Sequence, residues 1–159
     1  MSQIAVGDTA PDFTATLSTG ETFELTKSFP GRNLILYFYP KDFTAGCTKE
    51  ACYFRDFKKD FIALDAEIIG VSRDTDELHA QFSDHFKLNF PLISDPKNRL
   101  GELYGVTRMG GRLGVRRTTF VIGKERTILA IIHSETNMLD HIKKALEALE
   151  KNKQVSGKS

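Results

Sequence analysis

The sequence predicts an α/β fold in which helices flank a central mixed sheet and a β-hairpin lies near the N-terminus. The first observation is the continuous apolar run LILYFY at residues 34–39, which is typical of a strand buried on both faces of a sheet. The second is that strand-like segments alternate with helical patterns before a closing hairpin and helix. The third is the length of 159 residues, which suits one domain with its own core.

The other elements are predicted from periodicity and turn residues. An N-terminal hairpin joins residues 14–17 to residues 22–25 around Gly20. After the central strand we expect a helix that carries both cysteines, from Thr44 to about Leu64, then a strand at 67–71 and a helix opened by Thr75. An extended segment at 90–93 and a short helix from Asp95 to about Tyr104 should follow, and then a glycine-rich loop at 109–115. The chain should close with a hairpin of 118–122 with 127–132 and a helix from Met138 to about Lys151. Residues 1–151 are expected to form one domain, and residues 152–159 a flexible tail.

Composition and charge limit the classes of function. The net charge is +1 and the basic residues are scattered, so neither a nucleic acid nor an anionic membrane is an expected partner. No apolar run approaches the roughly 20 residues that span a bilayer, and the first residues lack the features of a signal peptide. Two cysteines in a reducing compartment are more often catalytic than structural. A cytoplasmic protein is therefore expected.

Cys47 is predicted to lie in the first turn of the helix that follows the central strand. If Thr44 is the N-cap, Cys47 is the third residue of that helix. The first N–H groups of a helix have no intrahelical partner, and its dipole leaves about half a positive charge at this end. A thiol attacks as the thiolate, which a helix N-terminus and nearby cations both stabilise. The Thr44 hydroxyl could bond to the Cys47 backbone N–H, to its sulfur or to a substrate, and the sequence leaves these alternatives open.

The two cysteines are predicted to lie on different sides of this helix. The core-facing stripe that contains Cys47 also contains Ala51, Phe54, Phe57 and Phe61. Cys52 lies about 140° around the helix, and ideal geometry separates the two α-carbons by roughly 8 to 9 Å. A disulfide tolerates at most about 7 Å, so pairing would require the first turns to unwind. The spacing indicates a cycle between two local structures rather than a permanent crosslink.

Pro40, Thr44 and Cys47 fit the signature Pro-x-x-x-Thr-x-x-Cys, and the chain thereby resembles the peroxiredoxins, thiol peroxidases with a thioredoxin-like fold. The second cysteine in GCTKEAC is similar to the branch called bacterioferritin comigratory protein or peroxiredoxin Q. The resemblance continues through VGDTAPDF, FPLISDP and RTTFVI to the last helix, and so covers nearly the whole chain. It implies a thioredoxin-like fold for this sequence.

The resemblance also implies a reaction. Cys47 would be the peroxidatic residue, whose thiolate attacks hydrogen peroxide or an organic hydroperoxide and becomes a sulfenic acid. Cys52 would be the resolving residue, which condenses with that sulfenic acid to an intramolecular disulfide. Thioredoxin or a similar dithiol would reduce the disulfide by exchange. This scheme requires no cofactor and no metal, and the branch implies a monomer.

Cationic and polar residues complete the predicted site. The family's arginine matches Arg117, and because neighbours on a strand point to opposite faces, only one of Arg116 and Arg117 can face Cys47. Glu50 lies one turn after Cys47 and could orient Arg117 through a bidentate pair, although a solvated glutamate is the alternative.

The residues next to the signature carry further expectations. Pro40 would end the strand and, by resemblance, shield the thiol, while the Thr44 hydroxyl would point at the peroxide and the thiolate. Ala45 stands where the branch usually has proline, which should loosen this turn.

Two other functions remain open for this sequence. A disulfide reductase or isomerase could use the same fold, but the Cys-x4-Cys spacing differs from the Cys-x-x-Cys of such enzymes. A redox-sensing or chaperone-like protein could expose Phe54 and Phe57 when oxidation unfolds the helix.

The four histidines (His79, His85, His133 and His141) show no metal-ligand spacing, and we expect them on the surface or in packing. The glycine-rich loop lacks the context of a phosphate-binding loop and is expected to be flexible.

Overall fold

A computed structural model describes residues 4–28, 31–107 and 114–156. The strands are β1 (Thr14–Thr16), β2 (Thr22–Glu24), β3 (Asn33–Phe38), β4 (Ala66–Ser72), β5 (Leu92–Ser94), β6 (Thr118–Ile122) and β7 (Ile128–His133). The helices are α1 (Ala45–Asp56), α2 (Lys58–Ala63), α3 (Asp76–Phe86), α4 (Arg99–Leu103) and α5 (Met138–Ser156). The glycine-rich loop predicted at 109–115 lies outside the described residues as far as residue 113.

The main sheet has five strands in the order β5-β4-β3-β6-β7. β3 is parallel to β4 and β4 to β5, whereas β3 with β6 and β6 with β7 are antiparallel, so the sheet is mixed as predicted. β1 and β2 form the predicted N-terminal hairpin as a separate antiparallel pair. All six residues of the central strand β3 are buried, which confirms the interpretation of the apolar run.

The sheet separates two hydrophobic clusters. Because side chains alternate along a strand, Leu34, Leu36 and Phe38 face a cluster formed with the N-terminal hairpin and α4. Residues 35, 37 and 39 face the other cluster, which contains Cys47 and the buried residues of α1, α2, α3 and α5. Cys47 therefore lies on the side of the sheet that carries most of the helices.

The predicted single helix from Thr44 to about Leu64 is wrong, because the chain breaks it at Phe57. The backbone of Phe57 (φ −94°, ψ 8°) ends α1 and precedes α2. After the break, Phe61 is fully buried and its ring centroid lies 5.8 Å from that of Phe54. The segment that carries both cysteines is therefore a 12-residue helix that ends before α2.

Other helix ends differ from the predictions in smaller ways. Thr75 caps α3 as predicted, since its hydroxyl oxygen accepts the N–H of Leu78 at 3.2 Å. α4 begins at Arg99 rather than Asp95, because the Asp95 carboxylate caps it from outside by accepting the N–H groups of its second and third residues. α5 continues to Ser156 rather than to about Lys151, and residues 157–159 of the predicted tail lie outside the described part of the chain. Within the described ranges, no helix combines the length and the apolar character needed to cross a bilayer.

Candidate active site

The structure places Cys47 in the first turn of α1, as the sequence predicted. Thr44 is the N-cap residue with an extended backbone, and α1 begins at Ala45, so Cys47 is the third helical residue. The first turn contains no acidic side chain that would oppose the positive end of the helix dipole. Cys47 is only 1% exposed and belongs to the cluster under the sheet. Its sulfur is therefore buried at a helix end that favours a negative charge.

The hydroxyl of Thr44 makes a different bond from those considered in the sequence. It donates to the carbonyl oxygen of Lys41 at 2.8 Å, and Thr44 makes no side-chain cap bond to α1. The bonds to the Cys47 N–H and to its sulfur are thus not made, because the hydroxyl turns back into its own loop. A bond to a peroxide remains a prediction.

Arg117 supplies the cation that the sequence predicted. Its Nη2 donates to Cys47 Sγ at 3.3 Å and its Nη1 donates to Glu50 Oε1 at 2.7 Å. Burial opposes the charge of this guanidinium, but Glu50 and Cys47 outweigh burial and raise the pKa of Arg117. Arg116 is exposed whereas Arg117 is 5% exposed, which confirms that only one of the two faces the cysteine.

Glu50 is buried, so the alternative of a solvated glutamate is wrong. Of the bidentate pair predicted with Arg117, only one of the two carboxylate oxygens is bonded. The residue is 0% exposed, and one of its oxygens accepts from Arg117. The other, Oε2, receives no hydrogen bond from the described residues and lies 3.5 Å from Nδ1 of His141. Burial raises the pKa of Glu50 from 4.5 to about 7, against the lowering effect of Arg117.

His141 was expected on the surface or in packing, and the structure places it beside the candidate site. It is 0% exposed on α5. Its Nε2 donates to the carbonyl oxygen of Ser134 at 2.9 Å, and its Nδ1 lies 2.7 Å from the hydroxyl oxygen of Thr119. Burial lowers the pKa of His141, which favours the neutral imidazole. The signal in the sequence was its position four residues before Ala145 on the apolar face of the last helix.

Cys52 lies on the same helix and is half-buried, and both cysteines are free thiols. α1 is continuous from Ala45 to Asp56, so the two cysteines have the helical spacing that the sequence predicted to prevent direct pairing.

The loop between β3 and α1 is attached to α3 by groups that no pattern in the sequence predicted. The Tyr39 hydroxyl donates to Asp42 Oδ1 at 2.6 Å, and His79 Nδ1 lies 2.6 Å from Asp42 Oδ2. The backbone N–H of Asp42 donates to Asp74 Oδ2 at 2.8 Å. Phe43, at φ 64°, packs its ring 5.2 Å from that of Phe82. Pro40 is half-buried and lies two residues after the end of β3, at the start of this loop.

One group of side chains has a spacing that suits a metal ion. Possible ligand atoms of Asp42, Asp74 and His79 lie within 4.8 Å of one another. Each of these residues already has protein partners, including the Ser72 hydroxyl at 2.6 Å from Asp74 and the Ile93 carbonyl at 3.0 Å from His79. The hydrogen bonds of the cluster are thus satisfied by the protein itself.

Comparison with known proteins agrees with this geometry. Residues 6–131 match the AhpC/TSA family. The chain is 39% identical over 151 residues to "Peroxiredoxin Bcp" of Bacillus subtilis (strain 168), covering 92% of this chain and 95% of that protein. Among solved structures it is similar to "Peroxidoxin BcpB" from Mycobacterium tuberculosis, with a TM-score of 0.85, 38% identity, and coverage of 92% of this chain and 96% of that one.

A second solved structure bears on the reaction. The chain is similar to the bacterioferritin comigratory protein of Xanthomonas campestris, with a TM-score of 0.80, 32% identity, and coverage of 88% of this chain and 91% of that one. The description of that structure refers to the alkyl peroxide reduction activity of the Xanthomonas protein.

The fold and the cysteine site together define the class of the thiol peroxidases. The chain belongs to the AhpC/TSA family, and its resemblance to the peroxiredoxins of the Bcp and peroxiredoxin Q branch is confirmed. The same likenesses confirm the predicted thioredoxin-like fold.

Proposed function

We propose that this thiol peroxidase reduces hydrogen peroxide and organic hydroperoxides through Cys47, which acts as its peroxidatic residue. The observation that carries the proposal is the 3.3 Å contact between Arg117 Nη2 and Cys47 Sγ at the first turn of α1. A guanidinium and a helix N-terminus at one buried sulfur are the groups that stabilise a thiolate. The likeness to the Xanthomonas protein supports organic hydroperoxides as substrates.

In the first step the Cys47 thiolate attacks the terminal oxygen of the peroxide. An S–O bond forms while the O–O bond breaks, sulfur is oxidised to a sulfenic acid, and the departing oxygen takes up a proton. Negative charge moves from the sulfur to that oxygen. Arg117 and the first N–H groups of α1 stabilise this charge along the way, and donors preorganised in this manner commonly contribute about 10²–10³ in rate. Thr44 and Pro40 would position the peroxide and shield the sulfur.

In the second step Cys52 attacks the sulfenic acid, which yields an intramolecular disulfide and water. The two cysteines share a continuous helix, so its first turns must unwind for this step. The break at Phe57 supports the proposal, because it separates the unwinding segment from α2 and from the buried ring of Phe61. Asp42 in the loop before α1 contacts His79 on α3, and the Thr44 hydroxyl donates to Lys41 within that loop. Because these contacts hold the loop in place, unwinding is favoured to begin after Thr44.

The disulfide would be returned to two thiols by thioredoxin or a similar dithiol. This reductant, the monomeric state, the cytoplasmic location and the lack of nucleic acid or membrane partners remain predictions of the sequence and the family. No observation in the described residues favours a disulfide reductase or a redox-sensing binding protein over the peroxidase.

The test is peroxide consumption in the presence of thioredoxin, thioredoxin reductase and NADPH. The wild-type protein should turn over, and Cys47→Ser should not. Cys52→Ser should react once per chain and then stop, because its sulfenic acid has no internal thiol partner. Full turnover by Cys47→Ser would overturn the assignment, and sustained turnover by Cys52→Ser would overturn the resolving role alone.

A further inference from the structure

One guanidinium contacts two acids in the site. Arg117 holds Glu50 Oε1 with Nη1 and Cys47 Sγ with Nη2. Glu50 is 0% exposed, Cys47 1% and Arg117 5%, so water screens none of these charges effectively. One cation compensates one buried anion, and a second anion beside it would be largely uncompensated. The carboxylate and the thiolate therefore compete for Arg117.

The other groups that face Glu50 do not relieve this competition. Tyr37 on β3 is a neutral phenol, because burial, Glu50 and Cys47 raise its pKa well above the ordinary value. Glu135, between β7 and α5, adds a negative charge that raises the pKa of Glu50 further. His141 on α5 is favoured as the neutral imidazole. Among these described neighbours, Arg117 alone carries a positive charge at neutral pH.

Glu50 has a place to hold a proton. Oε1 is occupied by Arg117, whereas Oε2 is buried, receives no hydrogen bond from the described residues and lies 3.5 Å from His141 Nδ1. Nε2 of that imidazole donates to the Ser134 carbonyl, so Nδ1 of the neutral ring is an acceptor, and the Thr119 hydroxyl 2.7 Å away donates to it. A proton on Oε2 gives this oxygen a hydrogen that faces the same Nδ1, 3.5 Å away, and competes with the Thr119 hydroxyl for it. The pKa of about 7 for Glu50 agrees with a carboxyl that exchanges this proton near neutral pH.

Building on the thiol peroxidase function above, we infer that Glu50 holds the proton that Cys47 gives up and returns it to the oxygen that leaves the peroxide. His141 is the positioning residue, whose Nδ1 accepts a hydrogen bond from the protonated carboxyl in place of the Thr119 hydroxyl. In the resting exchange, the Cys47 thiol and the Glu50 carboxylate become a thiolate and a carboxylic acid. The net charge of the buried site does not change.

The proton then returns during the reaction. The thiolate forms the S–O bond, the O–O bond breaks, and its electron pair leaves on the alkoxide or hydroxide. Once the sulfur is a neutral sulfenic acid, Arg117 is free to compensate the Glu50 carboxylate again. Glu50 therefore gives its proton to the departing oxygen, and an alcohol or water results. The sum is one thiol and one peroxide converted to one sulfenic acid and one alcohol or water, with no further reactant.

The decisive variant is Glu50→Gln, in a Cys52→Ser background that isolates the first step. Glutamine retains an oxygen for Arg117 and an N–H group for His141, and resembles the protonated carboxyl without its exchangeable proton. Alkylation of Cys47 at pH 8, where the parent carries a Glu50 carboxylate, should become about threefold to tenfold faster, because Arg117 then serves the thiolate alone. Glu147→Gln, an exposed change on α5, is the matched control and should leave the profile unchanged.

The dependence on the leaving group separates proton delivery from a structural role. With tert-butyl hydroperoxide, whose alkoxide needs a proton, the oxidation of Cys47 at pH 8 should be about tenfold to a hundredfold slower in Glu50→Gln than in the parent. With peracetic acid, whose carboxylate leaves without a proton, the loss should be small. Equal losses with both peroxides together with an unchanged alkylation profile would overturn the proton-holding role. Failure of the parent protein to react with any peroxide would instead overturn the proposed function itself.

Infrared difference spectroscopy provides a second test that needs no change at residue 50. In the Cys52→Ser protein at pH 7, oxidation of Cys47 by peroxide should remove the C=O band of a protonated carboxylic acid and add a carboxylate band. A Cys47→Ser, Cys52→Ser protein should show neither change. Absence of the carboxylic acid band change during Cys47 oxidation would overturn the inference even if Glu50→Gln fails to fold.

Discussion

His79 and Asp42 form a fully buried pair, with Nδ1 and Oδ2 2.6 Å apart, that joins α3 to the loop before Cys47. The other imidazole nitrogen lies 3.0 Å from the carbonyl of Ile93, and the other carboxylate oxygen accepts from Tyr39 at 2.6 Å. Both ring nitrogens of His79 and both carboxylate oxygens of Asp42 therefore have hydrogen-bond partners within the protein. The position of residues 40–44 thus depends on a contact that joins positions 42 and 79 of the chain.

Replacing His79 with leucine should destabilise the protein by about 3–5 kcal/mol, because it leaves the buried Asp42 carboxylate without its partner. Urea unfolding at pH 7 measures the change. His85→Leu, an exposed histidine on the same helix, is the control and should cost less than about 1 kcal/mol. Adding Asp42→Asn to His79→Leu should recover part of the loss, since an amide leaves no buried charge. Equal costs for the two histidine changes would show that the pair does not hold the loop.

Replacing Arg117 with lysine should slow the oxidation of Cys47 by about a hundredfold or more, because one ammonium cannot contact both Cys47 and Glu50 as the guanidinium does. Stopped-flow measurement of single-turnover oxidation in the Cys52→Ser background gives this rate directly. In the control variant Arg116→Lys, which changes the exposed neighbour, Cys47 should be oxidised at the parent rate. A similar rate in both variants would mean that Arg117 does not stabilise the reacting charges.

Replacing Gly46 with alanine should lower the oxidation rate without destabilising the fold. An added Cβ would lie 3.1 Å from Arg117 Nη2 and 3.1 Å from Met138 Cε, so the guanidinium has to shift by a few tenths of an ångström. Alanine also favours a helix over glycine by about 1 kcal/mol, which offsets the crowding in the folding equilibrium. We expect about a tenfold slower oxidation at unchanged or higher thermal stability. Lys49→Ala on the exposed side of α1 is the control, and an undiminished rate for Gly46→Ala would show that Arg117 tolerates displacement.

The buried carboxyl of Glu50 should make stability fall as the pH rises. Its pKa is raised from 4.5 to about 7 in the folded protein, so the folded state binds this proton more tightly than the unfolded state. The stabilising effect is fully present below pH 4.5 and is lost as the pH rises to about 7, and it amounts to about 3 kcal/mol.

The difference in unfolding free energy between the wild-type protein and Glu50→Gln isolates this contribution. The effect of His141 has the opposite sign, because its lowered pKa favours the folded state at higher pH, but it cancels in that difference. Urea unfolding at pH 5, 6, 7 and 8 should show the wild type losing stability relative to the variant. A difference that stays constant over this range would contradict the raised pKa.

Local spacing predicted the parts of the site that depend on a few neighbouring residues. The N-cap position of Thr44 and the first-turn position of Cys47 follow from the local helix pattern. Strand alternation indicates that only one of Arg116 and Arg117 faces Cys47, and the resemblance to the family selects Arg117. The break at Phe57 was missed because Phe54, Phe57 and Phe61 also fit one continuous helical stripe. Periodicity within a segment does not report a change of direction between two short helices.

The remaining features arise from contacts between distant segments. Asp42 meets His79, and Glu50 meets both Arg117 and His141, across 37, 67 and 91 positions of the chain. A histidine in a polar-looking stretch of sequence carries no local sign that a carboxylate will lie beside it. The half-formed pair of Glu50 likewise depends on where α5 places His141.

Intact mass spectrometry after one equivalent of hydrogen peroxide tests most directly whether Cys47 is the reacting thiol. The wild-type monomer should lose two hydrogens, Cys52→Ser should gain one oxygen, and Cys47→Ser should be unchanged. No covalent dimer should form in the wild-type protein. Rapid oxidation of Cys52 in the Cys47→Ser variant, with an unmodified Cys47 in Cys52→Ser, would show that Cys47 is not the reacting thiol.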